Sequence, residues 1–183
     1  MSDDARIKST RMYTGRVISL DVDEVRYPNG TTGELEIIRH PGASAVVPFL
    51  SDPRGADPTV LLLKQYRYAA GGTIYEIPAG RLEPGELPET CAHRELLEET
   101  GCTATSMVKL TSMFTTPGFT DERIHLFLAS GITRGEAHPE SDEFMETESV
   151  PLSKALQMIE RGEIQDAKTA LGLLFSAGFR VGL

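Results

Sequence analysis

The chain has 183 residues, 40% of them hydrophobic and 25% charged, which suits one compact domain with a full-sized core. Its net charge of −9 comes without any Lys/Arg cluster, which argues against a nucleic-acid backbone as partner, while a small anionic substrate remains open because a bound metal reverses the local sign. No apolar run approaches the eighteen or so residues of a membrane helix, and residues 1–10 (MSDDARIKST) lack an apolar signal segment, so no membrane contact and a cytoplasmic location are expected.

In chain order, residues 12–26 and 34–40 are β-prone and read as an N-terminal antiparallel hairpin joined through PNGTTG, and residues 43–50 (ASAVVPFL) as a further strand. Residues 51–58 (SDPRGADP) form a surface turn. Residues 59–68 (TVLLLKQYRY) carry the continuous apolar run of a buried central strand, and residues 73–77 follow as another. Residues 87–100 (LPETCAHRELLEET) predict a helix. Pro88 is tolerated in its first turn, Leu87, Cys91, Leu96 and Leu97 supply apolar positions, and Gly101 suits the left-handed residue after the last turn. Strands are expected over 108–114, 123–130 and 145–150, and helices over 152–161 and 167–178. Strands with helices on both faces make the expected class α/β with a mixed sheet. Cys91 and Cys102 have neither metal-ligand nor redox spacing and read as packed thiols.

One constellation stands out: Gly80, Glu86, Arg94, Glu95, Leu96, Glu98, Glu99, Gly101 and Cys102. Seven of these positions demand a specific residue at usage frequencies of about 5–7% each, so a chance match in a chain of this size is on the order of 10⁻⁷ or less. On the predicted helix Glu95 shares a face with Glu98 and Glu99, three and four residues onward. Like charges at this separation destabilise a helix by roughly 0.2–0.5 kcal/mol per pair unless something positive lies between them, and oxygen-only ligands favour a hard ion, magnesium or manganese. The glycine- and proline-punctuated segment 79–86 (AGRLEPGE) brings backbone close to whatever the carboxylates hold.

This stretch from Gly80 to Cys102 resembles the Nudix box, the signature of hydrolases that cleave nucleoside diphosphates linked to another moiety. The box usually ends on Ile, Leu or Val; Cys102 packs there as a small hydrophobe. Similarity extends to YEIPAG (75–80) and TPGFTDERIHLFL (116–128), and Pro117, fifteen residues past the box, resembles the subgroup acting on ADP-ribose and related sugar nucleotides. The resemblance implies an α/β/α sandwich, a single domain over residues 1–183 with strands 1–40 as a dimerisation arm and 41–183 as catalytic core, and a homodimer.

By the same resemblance Glu95 and Glu99 would be metal ligands, Glu98 a ligand when more than one ion binds, and the Ala79 carbonyl a further ligand for Mg2+, with Mn2+ as an alternative. Glu143, in the acidic segment 136–148, is the expected general base, with Glu140 and Asp142 as rivals. Arg94 is expected to orient the carboxylates. Arg67 would lie near the diphosphate or terminal ribose, with Glu83, Thr116, Gly118 and Glu122 as further substrate contacts. One departure is Leu35, where several relatives carry a basic residue that reaches the substrate across the dimer. The expected activity is hydrolysis of ADP-ribose or a related nucleoside diphosphate sugar to two phosphomonoesters. The alternatives are GDP-mannose, a dinucleotide cofactor or a nucleoside triphosphate as substrate, and, from a different class, a nucleotide-sensing module that does not cleave.

Overall fold

A computed structural model of the chain describes residues 5–135 and 145–181. Its residues cluster into two units, one built from the chain up to Gly42 together with Met113–Ile124, the other from Ala43–Ser112 and the chain from His125 onward.

The first unit contains an antiparallel sheet of β1 (Arg6–Thr14), β2 (Ser19–Arg26) and β3 (Thr32–Arg39), in that order. The expected single strand over 12–26 is therefore two strands. The chain reverses at Gly15, whose N–H donates to the Ile18 carbonyl at 2.9 Å, and the expected hairpin becomes a three-stranded sheet. All nine residues of β1 are exposed, as befits an edge strand. Asp21 and Asp23 are only 5% exposed, yet both bond to the Arg39 guanidinium, which also reaches Asp121 at 3.2 Å. Burial opposes the charge on Arg39, but these carboxylates raise its pKa above the ordinary value. The loop between Phe114 and Arg123 is folded on itself: the Thr116 carbonyl accepts from the N–H groups of Phe119 and Thr120, both at 3.1 Å, and the Thr115 hydroxyl donates to Glu122 at 2.8 Å.

The second unit holds one sheet and nearly all of another. One has the order β10 (Met145–Pro151), β5 (Thr59–Arg67), β6 (Gly72–Glu76); the other has β7 (Ala79–Arg81), β4 (Ala43–Pro48), β9 (Arg123–Arg134), β8 (Cys102–Phe114), with the last two residues of β8 and the first two of β9 belonging to the first unit. Strands β8 and β9 run longer than their apolar patterns suggest. The three residues of β7, too few to show a period, pair antiparallel with β4, Ala79 opposite Ala45. Among the described residues three α-helices complete the unit: α1 (Pro88–Thr100), α2 (Leu152–Glu160) and α3 (Ala167–Phe175). Among the described residues no helix is long and apolar enough to cross a membrane.

Helix α1 follows from its sequence almost residue by residue. Pro88 stands in its first turn, and the helix ends where Gly101 takes the left-handed conformation, φ 68°, with its N–H on the Leu97 carbonyl at 2.8 Å. Cys91, Ala92 and Leu96 are fully buried, and Ala92 and Leu96 pack with Val46, Leu61, Cys102, Phe127 and Ala129. A buried Leu or Phe side chain in such a cluster contributes about 1.5–3 kcal/mol. The Ser44 hydroxyl on β4 donates to the Pro88 carbonyl at 2.7 Å and fastens the start of the helix to the sheet. The apolar stripe thus faces the core, and positions 94, 95 and 99 are turned toward the segment 79–86.

Candidate active site

Arg94 is the hub of the acidic turn. Its Nε and Nη2 hold Glu86 bidentately at 2.9 and 3.0 Å, and its Nη1 donates to Glu95 at 2.5 Å and to Glu98 at 3.0 Å. Nη2 also reaches the Arg81 carbonyl at 2.9 Å, tying helix to loop. The hydrogen bond from Arg94, outweighing partial burial and aided by the Glu83 N–H, pulls the Glu86 carboxyl down to about 2. Reciprocally, the carboxylates raise the Arg94 pKa, Glu86 contributing most. Glu99, 2% exposed, accepts the Ala79 N–H at 3.0 Å. Burial pushes the Cys91 thiol up to about 11, so it stays protonated and packs as an apolar group.

Glu95, Glu98 and Glu99 therefore share one helix face with Arg94 among them, and among the described residues no three His, Cys, Asp or Glu side chains converge as a set that could hold a metal ion. The donor chemistry nevertheless fits a hard divalent cation: three carboxylates within one turn, with a single guanidinium for two of them. The backbone fits as well. A Cβ added at Gly80 would fall 1.9 Å from Glu95 Oε1, so this position admits only glycine while the carboxylate lies against the chain.

The other expected residues are distributed as follows. Glu83 is exposed, and its N–H donates to Glu86 at 3.0 Å. Arg67 closes β5 with a bidentate hold on Glu76, at 2.6 Å from Nε and 2.9 Å from Nη2. Thr116, Gly118 and Glu122 belong to the first unit. Glu143, with its rivals Glu140 and Asp142, lies outside the described residues.

Sequence reasoning did not find the group around Glu76. This carboxylate, 2% exposed, also accepts from Lys168 Nζ at 2.5 Å, and Lys168 pairs with Asp166 at 3.0 Å. Burial disfavours the charged form of Glu76, yet Arg67 and Lys168 outweigh it and hold the carboxyl below its ordinary range. Asp166 caps α3, accepting the Thr169 N–H at 2.9 Å and its hydroxyl at 2.6 Å, while Thr169 Oγ1 accepts the Ile77 N–H at 2.9 Å. The available signal was a glutamate inside an otherwise β-prone run, TIYEI.

A family model for the NUDIX domain matches residues 40–171. The chain belongs to that family. The chain is also similar to two curated proteins along nearly its whole length. An "ADP-ribose pyrophosphatase" of Bacillus subtilis (strain 168) is 42% identical over 94% of this chain and 92% of its own length, and a "Methanol dehydrogenase activator" of Bacillus methanolicus is 41% identical over the same shares. A solved structure described as "Crystal structure of ADP compounds hydrolase" superposes with a TM-score of 0.78 over 94% of this chain and 91% of that one, at 18% identity, and shares the mixed α/β Nudix fold. The family typically depends on a divalent metal, and the carboxylates of α1 are the hard donors such an ion takes.

Proposed function

We propose that this Nudix hydrolase cleaves the diphosphate of ADP-ribose, with water attacking one phosphorus and AMP and ribose 5-phosphate leaving. The observation that carries the reading is the acidic face of α1, three carboxylates against one guanidinium, set beside a glycine that admits the Glu95 carboxylate. The 42% identity to an ADP-ribose pyrophosphatase along nearly the whole chain supports the substrate.

Glu95, Glu98 and Glu99, with the Ala79 carbonyl, would hold Mg2+ or Mn2+. When bound, such an ion supplies Lewis acidity toward a phosphoryl oxygen and lowers the pKa of water. The chain's own groups do the rest. Arg94 fixes the directions of Glu86, Glu95 and Glu98 through its planar fork, and the Ala79 N–H does the same for Glu99. Arg67, pinned by Glu76, presents its remaining N–H groups to a phosphate oxygen. Glu143 is our candidate general base, on the strength of its acidic segment immediately before β10.

Chromatography of products from a panel of ADP-ribose, GDP-mannose, dinucleotide cofactors and nucleoside triphosphates, each with Mg2+, tests the reading. AMP and ribose 5-phosphate should form fastest from ADP-ribose, and inertness toward every diphosphate would end the enzyme reading. Glu99→Gln should remain folded and lose more than about 100-fold in kcat/KM, since even groups that merely orient a metal ligand typically contribute 10–100-fold. A sensor would keep its ligand response in that variant. The fully exposed edge strand β1, with Met12 at 62% and Tyr13 at 58% exposure, supports a homodimer, which light scattering would register as twice the chain mass.

A further inference from the structure

Beside the acidic turn lies a closed ring of polar groups. The Ile77 N–H donates to Thr169 Oγ1, the Thr169 hydroxyl to Asp166, Lys168 pairs with Asp166 and donates to Glu76, and Glu76 is joined to Ile77 by one peptide bond. Arg67 is the only member of this group that reaches outward, its side chain 42% exposed while Glu76 is 2% exposed and Lys168 12%. Taking a carboxylate and an ammonium out of water is costly, and packing alone would not require it of a strand-to-helix contact. What the ring does achieve is orientation. Glu76 occupies Nε and one edge of Nη2, so the plane of the Arg67 guanidinium is set, and among the described residues three of its five N–H donors remain for another acceptor. Lys168 on Oε2 stops the Glu76 carboxylate from rotating. Three residues further along, the Ala79 N–H grips Glu99, and the negative charge of Glu99 is felt at Arg67. One short segment, residues 76–79, therefore fixes both a cation and an anion of the site.

We infer that Glu76 and Lys168 are positioning residues for the hydrolysis: they hold the Arg67 guanidinium at a fixed orientation relative to Glu99, so that a diphosphate meets a preformed cation. This rests on the diphosphate reading of the site. Arg67 touches substrate; Glu76 and Lys168 act through it.

Steady-state kinetics on ADP-ribose with saturating Mg2+ test the inference with Glu76→Gln, Lys168→Met, Lys168→Arg, Arg67→Ala and the double variant Arg67→Ala/Lys168→Met. Lys168→Met should raise KM roughly tenfold, the scale of one hydrogen bond to a charged group, with kcat within about twofold of wild type. Lys168→Arg should recover most of that loss. In the Arg67→Ala background Lys168→Met should add less than about twofold, because the group it positions is gone. Losses that multiply in the double variant, or a lowered Tm with unchanged KM, would overturn the inference. If Glu76→Gln does not fold, the lysine variants decide alone, since they leave the Arg67–Glu76 pair in place. A wild-type protein inert toward ADP-ribose refutes the ADP-ribose reading and this inference with it; wild-type turnover with multiplicative losses refutes the inference only.

Discussion

Around Arg94 one guanidinium is divided among three carboxylates, whereas around Glu76 one carboxylate is divided between two cations. The second group is balanced, since Asp166 neutralises Lys168, and its atoms are committed to one another. The first is short of positive charge, and Glu98, its side chain 45% exposed, keeps its acid face open to solvent. The contrast separates scaffold from site. A closed, neutral polar ring fixes geometry, while an acidic turn with too few cations is prepared for an ion from outside.

Removing the hub should break the contrast most visibly. Arg94→Met strips Glu86, Glu95 and Glu98 of their shared donor and should destabilise the protein by about 1–3 kcal/mol, the scale of losing a charged donor to the largely buried Glu86 and Glu95. Added Mg2+ should restore more of the lost Tm in this variant than it adds to wild type, because the ion takes over the neutralising role. Thermal melts with and without MgCl2 check this, and no response in either protein would mean that the acidic turn has no appetite for cations.

Gly80→Ala sharpens the comparison at one atom. The added Cβ would displace the Glu95 carboxylate, the movable end of a side chain, so Tm should hardly shift while activity at limiting Mg2+ falls about 10–100-fold. A Mg2+ titration of initial rates reads the effect.

The smallest expected effect is one of pH. The Glu86 carboxyl is held at about 2 in the folded chain, below its ordinary value near 4.5. A depressed carboxylate pKa contributes stability that is complete above the unfolded value and is lost as pH falls through the folded one. Tm should therefore decline between about pH 4.5 and 2, and Glu86→Gln should flatten part of that decline. An unchanged Tm–pH profile in the variant would remove Glu86 from the Arg94 group.

Helix α1 was legible because its signals are local: Pro88 at the start, Gly101 at the end, and apolar residues at helical spacing between them. The strand break at Gly15 was not, because Thr14, Val17 and Ile18 continue a β-prone pattern on either side of it, and the reversal shows in the backbone hydrogen bond from Gly15 to Ile18. The α1 carboxylates could be grouped from spacing alone, since i, i+3 and i+4 fix a shared face. The pair Lys168–Glu76 spans 92 residues, and no periodicity ties a helix N-terminus to a strand that far away. Spacing also fell short on detail. It asked for a cation among Glu95, Glu98 and Glu99 and for Arg94 to orient carboxylates, but that one guanidinium holds Glu86 of the preceding loop together with Glu95 and Glu98 needed the structure.

The central claim is that the acidic face of α1 works by holding a divalent ion against a diphosphate. The most direct test is the rate of AMP release from ADP-ribose as Mg2+ is titrated into EDTA-treated protein. The rate should be negligible without metal and rise to saturation with it; turnover that persists undiminished under chelation would contradict the claim.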